Sequence, residues 1–446
     1  MDFVKDDVRM IYRKYAAASI GSALAMSIYS MVDTVAVGHS VGAVGTAAMA
    51  VVTPVYGTQA FIASLCGVGG SVLMTKEKAQ NRMKKGNEYF TVSLLLLSLI
   101  AAVTWLVFAI FHNPIFRFFG ATDEVLPYVN EYADLIIAFW PVFLFMIYLA
   151  TMIRSDGDPK LAVIAVMVGG GCNIFGDWFF CFPMHMGMAG AATATVIGSI
   201  VQVIIPLFHF RSESNTIRIE KPKKAAPMAG KIINIGFGSG IIELATAILA
   251  ILLNHQITRY GGVAALSVYG IIATCNALIQ SMFGGLGQAV QPFLSANFSA
   301  GKYGRMRAFL RRAWVTCLVM ELLFTASGEI FPIFLVRLFT KPTEEVLALA
   351  PRMIRLYFLT YLFMGVSILC IYILQSTLEG GHATILSLMR GFVVSGALIL
   401  ILPLLFGLNG IMIAIVAAEA ITAATGLVMI SRGTWVHSEA RRPATS

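Results

Sequence analysis

Two carboxylates stand where hydrocarbon is expected: Asp33 within the apolar run Ala17 to Val37, and Asp177 within Ala162 to Phe182. A charged side chain at the centre of a bilayer helix costs on the order of 2.5–3.5 kcal/mol on insertion scales, so an ionisable residue there is a functional-site hypothesis by default. The chemistry on offer is proton exchange or the holding of a small hard cation by oxygen atoms. Asn173 precedes Asp177 by one helical turn, and positions i and i+4 share a helix face, so amide and carboxylate can converge on one ligand. The plain alternative is that Asp33, near the outer end of its run, and Asp177, beside Trp178, sit at the membrane surface and are partly in water. A third acid, Glu243, falls in the middle of an apolar run; it suits a cationic small molecule, a second proton or a structural contact about equally. Glu321 and Glu419 are weaker candidates. Arg352 and Arg355 pair with acids or extend their heads to the interface.

These residues need long helices to carry them, and the composition supplies them. Hydrophobic residues make up 58% of the 446, charged residues 12%, and mean hydropathy is +0.80. The apolar runs have the length of roughly 20 residues that crosses a hydrocarbon core. They predict an all-α polytopic membrane protein of twelve transmembrane helices. Six are expected at roughly 11–36, 46–74, 89–112, 128–152, 160–182 and 188–210, and six more at roughly 231–258, 263–296, 308–336, 346–376, 384–405 and 409–431. The domain reading is 1–210 as an N-terminal six-helix lobe, 211–230 as a polar linker, and 231–446 as a C-terminal six-helix lobe with a short tail.

Lys and Arg near span ends stay cytoplasmic. With the N-terminus inside, 26 of the 32 basic residues fall in cytoplasmic segments, notably Lys76 to Lys85, Arg211 to Lys231 and Lys302 to Arg312. The others are Arg117, Arg259, Arg337, Lys341, Arg352 and Arg355. Both termini are therefore expected in the cytoplasm, and the net charge of +9 reads as a topology signal. A nucleic-acid surface needs such charge gathered on one soluble face, so no nucleic-acid partner is expected.

Several function classes drop out. The six cysteines (66, 172, 181, 275, 317, 370) are scattered with no Cys-x-x-Cys pair, which argues against a structural metal or a disulfide framework. No Gly-x-x-x-x-Gly-Lys-Ser/Thr loop is present, so ATP hydrolysis is not expected and any work must come from an ion gradient or another subunit. The seven histidines are dispersed and mostly at span ends, which disfavours an enzyme within the membrane. No cleavable leader is expected at the N-terminus, and no cofactor is.

The halves repeat at about 220 residues. Phe116-Arg117-Phe118-Phe119 with Asp123-Glu124-Val125-Leu126 recurs as Leu335 to Phe339 with Glu344-Glu345-Val346-Leu347. Asp156-Gly157 recurs as Glu379-Gly380, and Gly187-Met188-Ala189-Gly190 as Gly407-Leu408-Asn409-Gly410. Six spans per repeat is even, so both halves enter the membrane in the same direction, the arrangement of two lobes around an axis along the membrane normal. Aligning Gly42 with Gly261 sets Asp33 opposite Leu252 and Glu243 opposite Leu24, so the acids do not follow the repeat.

Met31-Val32-Asp33-Thr34-Val35-Ala36-Val37-Gly38, Arg154 to Gly157, Asn173 with Asp177, and Gly187 to Ala194 together resemble the multidrug and toxic compound extrusion (MATE) transporters, over nearly the whole chain. Within them the chain is most similar to the bacterial Mep-type branch, close to the DNA-damage-inducible one. The resemblance implies cation-coupled efflux, with proton or sodium as coupling ion, of small amphipathic and often cationic molecules, by a multi-pass protein among the lipids of the bacterial inner membrane. It also implies a cation site of Asp33, Asn173, Asp177 and Thr195, with sodium possible there. The chain departs from the family in having no proline in the first span and Gly236-Phe237-Gly238-Ser239-Gly240 where many members have Gly-x-Pro, so flexibility of the seventh helix is assigned to glycine. A lipid-linked oligosaccharide flippase of the same broader superfamily is the alternative; it calls for a strongly cationic cavity, whereas the mid-span charges here are mainly acidic.

Overall fold

The computed structural model of the protein describes residues 5–213, 215–377 and 380–433. The tail expected beyond Gly433, and Glu379 of the repeat, lie outside the described residues. The chain runs through α1 (Val8–Ser40), α2 (Ala43–Ala79), α3 (Met83–Phe118), α4 (Leu126–Ala138), α5 (Trp140–Ser155), α6 (Pro159–Cys181) and α7 (Gly187–Leu207), and a 3-10 turn at Phe208–Arg211 closes this half. The second half holds α8 (Ala225–Ser299), α9 (Tyr303–Ile330), α10 (Pro332–Phe339), α11 (Glu344–Phe358), α12 (Tyr361–Ser376), α13 (Gly380–Leu388), a π-helical turn at Met389–Val393, α14 (Val394–Ile401) and α15 (Pro403–Ser431).

Among the described residues, eight stretches are long and apolar enough to cross a membrane, and a ninth arises if α4 and α5, bent by 59° at their junction, form one span. Two of the eight, Glu243–Phe298 and Gly381–Ser431, run to 56 and 51 residues. Each is interrupted by a left-handed glycine, Gly262 (φ 67°) and Gly407 (φ 58°), and so holds two crossings. With α1 these make the twelve spans. The expected fourth span is thus a bent pair rather than one rod. Its corner is fixed by Trp140, which stacks on Phe108 at 4.3 Å and donates to Thr104 Oγ1 at 2.9 Å, with Pro141 unable to continue the hydrogen bonding of α4. α1, without a proline, is a single helix. The ninth span ends at Ile330, and Pro332 starts the separate α10.

The lipid-facing and inward faces separate cleanly on α3: Leu95, Leu99, Leu106 and Ile110 are exposed, while Tyr89, Phe90, Leu97, Ala101 and Phe108 are buried. An apolar stripe of that length is matched to hydrocarbon as its solvent.

Packing forms two compact units, Val32–His255 and Met1–Met31 with Gln256–Ser446. This grouping differs from the repeat-based division, since residues 225–255 pack with the first unit and α1 up to Met31 with the second. The first has a specific seam. A Cβ added to Gly236 would collide with the Leu65 carbonyl, one on Gly69 with the Ile232 carbonyl, and one on Gly240 would meet the Phe61 ring at 2.9 Å. Gly236 and Gly240 are therefore contact surfaces that let α2 and α8 touch backbone to backbone; the expectation that they serve as a flexible element gives way to this packing. Nearby, Pro54 has no N–H to give the carbonyl of Ala50, and the buried Asn254 amide donates to that carbonyl at 3.1 Å and to the Phe119 carbonyl at 2.9 Å.

The repeat is written in the backbone. Positive-φ residues recur as Gly42 (93°) and Gly262 (67°), Asn81 (59°) and Gly301 (66°), and Gly187 (54°) and Gly407 (58°). Every pair lies 220 positions apart, which corrects the register: Gly262, not Gly261, corresponds to Gly42. At this register Asp33, Asn173, Asp177 and Thr195 stand opposite Leu253, Val393, Ala397 and Ile415. The second half carries no copy of these polar residues.

Candidate functional site

Three helices deliver the sequence-predicted residues to one place, Asp33 from the last turns of α1, Asn173 and Asp177 from α6, and Thr195 from α7, and a fourth, α4, adds Tyr132. α6 and α7 approach closely because glycines face each other; a Cβ on Gly198 would lie 2.7 Å from the Gly169 carbonyl, and one on Gly176 2.8 Å from the Ala194 methyl. That closeness sets Asn173 against Thr195.

The side chains form a chain of hydrogen bonds. Asn173 Nδ2 donates both ways, to Asp177 Oδ1 at 3.4 Å and to Thr195 Oγ1 at 3.3 Å. Thr195 Oγ1 lies 3.4 Å from the Tyr132 hydroxyl, which donates to Asp33 Oδ2 at 3.3 Å. Tyr56 of α2 meets the Tyr132 hydroxyl at 2.7 Å. One donor assignment satisfies all of this: Tyr56 and Thr195 give to Tyr132, and Tyr132 gives to Asp33. Both aspartates are buried, and each keeps one sealed oxygen with no hydrogen-bond partner among the described residues, Asp33 Oδ1 and Asp177 Oδ2. Neither is exposed at the protein surface. Two acceptor oxygens without donors, joined through a hydroxyl and amide relay, are suited to taking up a proton or a small cation.

Tyr132 and Tyr56 have no counterpart in the sequence reading. Glu243 is exposed on α8 and stands outside the hydrogen-bonded chain. The weaker candidates are held structurally. Glu321 is buried and accepts from the Val366 N–H at 2.9 Å and from Cys317 Sγ at 3.6 Å. Glu419 Oε1 accepts from Arg390 Nε at 2.6 Å, and Arg390 also reaches Gln280 at 3.3 Å. Arg390, one of the basic residues assigned to the cytoplasmic side, is thus a part-buried partner of the buried Glu419 in an ion pair at the π-helical turn. Arg355 donates to the Glu329 carbonyl at 3.1 Å; with Arg352 it lines an open cavity of about 540 Å³.

At the opposite end of the first unit, the α5–α6 turn is tied down. Asp156 receives Lys78 Nζ at 2.8 Å, the Thr216 N–H at 2.8 Å and His209 Nε2 at 2.9 Å. Burial works to raise the Asp156 carboxyl, but the hydrogen bonds from Lys78, Thr216 and His209 outweigh it and hold it below the ordinary aspartate range. This ties the start of the linker to the ends of α2 and α7.

Comparison with known proteins agrees with this architecture. The multidrug export protein MepA of Staphylococcus aureus (strain MSSA476) is 23% identical over 427 residues, covering 92% of this chain and 90% of its own length. Among solved structures, an inward-facing multidrug resistance MATE family transporter of the MOP superfamily superimposes with a TM-score of 0.81 at 20% identity, covering 94% of this chain and 96% of that one. The MATE multidrug transporter DinF-BH gives 0.75 at 23% identity, covering 98% and 99%. The MatE family model matches residues 18–179 and 239–401, one block in each half. On that match, and on the twelve-helix fold that accompanies it, the chain belongs to the MatE family of membrane transporters.

Proposed function

We propose that the protein is a secondary active multidrug exporter of the bacterial inner membrane, with both termini cytoplasmic, that exchanges a cation for small amphipathic or cationic compounds by alternating access. The observation that carries this reading is the pair of buried aspartates, each with an unpartnered oxygen, joined through Tyr132, Thr195 and Asn173. Asp33, Asn173, Asp177 and Thr195 hold the coupling ion, a proton in the first instance, with sodium able to use the same oxygens. Tyr132 donates to Asp33 and, through Thr195 and Asn173, fixes its position relative to Asp177. Ion uptake from outside neutralises the pair and releases the packing of α1 against α4, α6 and α7; the compound, bound from inside, favours the ion-free state. The two ligands thereby oppose each other through linkage. A potential of 100 mV supplies about 2.3 kcal/mol per charge, enough for roughly 50-fold accumulation per net charge moved. Glu243, an exposed carboxylate on a spanning helix, attracts cationic substrates.

Ethidium uptake into everted vesicles, with and without sodium, tests the reading. Asp33→Asn and Asp177→Asn are expected to abolish coupled transport at equal membrane levels, with non-additive losses because they share one relay. Wild-type drug resistance from Asp33→Asn would sink the proposal. In the same assay Glu243→Gln is expected to slow cationic substrates more than neutral ones; equal slowing of both classes removes Glu243 from substrate choice.

A further inference from the structure

Three carboxylate oxygens are sealed without a hydrogen-bond partner among the described residues: Asp33 Oδ1 and Asp177 Oδ2, and Glu419 Oε2 of α15. The third stands in the second unit, in a cluster of its own. Glu419 Oε1 accepts from Arg390 Nε at 2.6 Å, and Arg390 Nη2 reaches Gln280 Oε1 of α8 at 3.3 Å. Arg390 sits on the π-helical turn Met389–Val393, where its carbonyl accepts from the Ser395 hydroxyl five residues on at 2.6 Å. Ser367 of α12 donates to the Glu419 carbonyl at 3.3 Å, and Tyr357 of α11 is in electrostatic reach of both charges. No second acid is among these contacts.

The 220-residue repeat sets Gln280, Glu419 and Arg390 at the positions of Ala60, Ser199 and Gly170 in the first half. Ala60 and Ser199 lie four residues after Tyr56 and Thr195, and Gly170 lies three before Asn173. Consecutive spans alternate in direction and α6 runs against α2 and α7, so the three displacements point the same way along the helices, by about one turn. The second unit thus carries its polar cluster on the helices that match α2, α6 and α7, one turn from the positions that match the relay. A buried carboxylate is neutralised by a proton, a metal ion or a fixed cation. Asp33 and Asp177 are met by a hydroxyl and an amide, whereas Glu419 is met by a guanidinium, which proteins do not deprotonate. We infer that the Arg390–Glu419 pair is the second unit's counterpart of the ion site, with the guanidinium tethered where a proton or sodium ion would sit. This site, unlike the first, holds its cation throughout the cycle. The comparison rests on Asp33 and Asp177 being the coupling site; the test is read with both replaced, so that its failure and theirs are distinct.

The full chain in detergent, in an Asp33→Asn/Asp177→Asn background, is compared with and without Arg390→Met. On acidification from about pH 9 to about pH 6, the Arg390→Met protein should take up about one proton more than its parent. Exchanging N-methylglucamine chloride for sodium chloride at equal ionic strength should leave that uptake unchanged if only a proton fits. If sodium fits as well, it should suppress the uptake and raise the melting temperature; in both cases an external cation has replaced the tethered one. Arg390→Lys, which keeps a tethered cation, should take up no extra proton, and neither should Arg390→Met/Glu419→Gln, which removes the acid. Uptake and melting of Arg390→Met that match the parent in both salts overturn the inference, as does extra uptake that survives Glu419→Gln. If Arg390→Met elutes as a single species in no buffer, Arg390→Gln, which keeps a hydrogen-bond donor beside Glu419, is read in its place. Failure of both to elute in any buffer also overturns the inference, because no external ion then substitutes for the guanidinium.

Discussion

A buried acceptor without a donor costs about 1–3 kcal/mol, and more when it is charged, so the two sealed oxygens of Asp33 and Asp177 are maintained against a gradient of stability. The bonds that hold the relay together, at 3.3–3.4 Å, are at the long end of the useful range, whereas Tyr56 grips Tyr132 at 2.7 Å. Tyr132 is thus held more closely by Tyr56 than by Asp33. Tyr132→Phe keeps the ring and its packing but leaves Asp33 without a donor on either oxygen. A hydrogen bond to a charged group contributes about 1.5–3 kcal/mol, so ethidium transport is expected to fall roughly tenfold or more, with its pH profile displaced, while membrane levels hold. An unchanged rate and profile would take Tyr132 out of the relay. Asp33, Asn173 and Asp177 were legible in the sequence because a carboxylate or carboxamide in an apolar run contrasts with its neighbours, and Thr195 through the family motif. Tyr132 was not, because a tyrosine among Val129, Ala133 and Ile136 on a buried helix face has the same pattern as an ordinary core residue. Glu243 gave the same signal as Asp33, yet the fold leaves it outside the relay; residue type cannot report which way a helix turns.

Helices here are joined by what their sequences omit. Pro54 removes one N–H from α2, and Asn254 supplies the missing donor from another helix, so a local defect becomes a tertiary bond. Asn254→Leu leaves two buried carbonyls, Ala50 and Phe119, short of a donor, and is expected to lower stability by about 1–3 kcal/mol for each. In a Pro54→Ala background the Ala50 carbonyl recovers its intrahelical partner, so the same substitution should cost less. Thermal unfolding of the four proteins in detergent measures the coupling; strictly additive melting shifts would show that Asn254 does not answer Pro54. The glycines of the seventh span make the matching point about legibility. A run of alternating glycines reads from sequence as freedom to bend, because nothing local reveals the Leu65 carbonyl that lies against Gly236. Turn glycines were easier to read: Gly187 and Gly407 carry the same positive φ, and a backbone that only glycine adopts comfortably leaves its mark on the sequence. Gly261 and Gly262 are indistinguishable partners for Gly42 in sequence, and only the positive φ of Gly262 tells them apart.

Across the whole molecule, the backbone repeats where the chemistry does not. Six-helix periodicity survives in three positive-φ pairs, while the relay residues of the first half face Leu253, Val393, Ala397 and Ile415 in the second. The count and class of spans were legible because hydrocarbon thickness fixes run length. The bend between α4 and α5 and the crossing of 225–255 into the first unit were not, because both depend on contacts distant in sequence. Sidedness rests on the basic residues, several of which also make contacts within the protein, Lys78 with Asp156 and Arg390 with Glu419 among them. The asymmetry is large, with Lys76 to Lys85, Arg211 to Lys231 and Lys302 to Arg312 all on the side assigned to the cytoplasm. Single cysteines placed at the exposed Met184, in the turn between α6 and α7, and at Lys223, in the linker after α7, test it in a background cleared of the six native cysteines. One span, α7, separates the two positions, so a membrane-impermeant thiol reagent on intact cells should modify Met184→Cys and spare Lys223→Cys until the membrane is opened. Labelling of both from outside would mean that α7 does not cross, while labelling of Lys223→Cys alone would invert the proposed topology and, with it, the direction of the proposed ion exchange at Asp33.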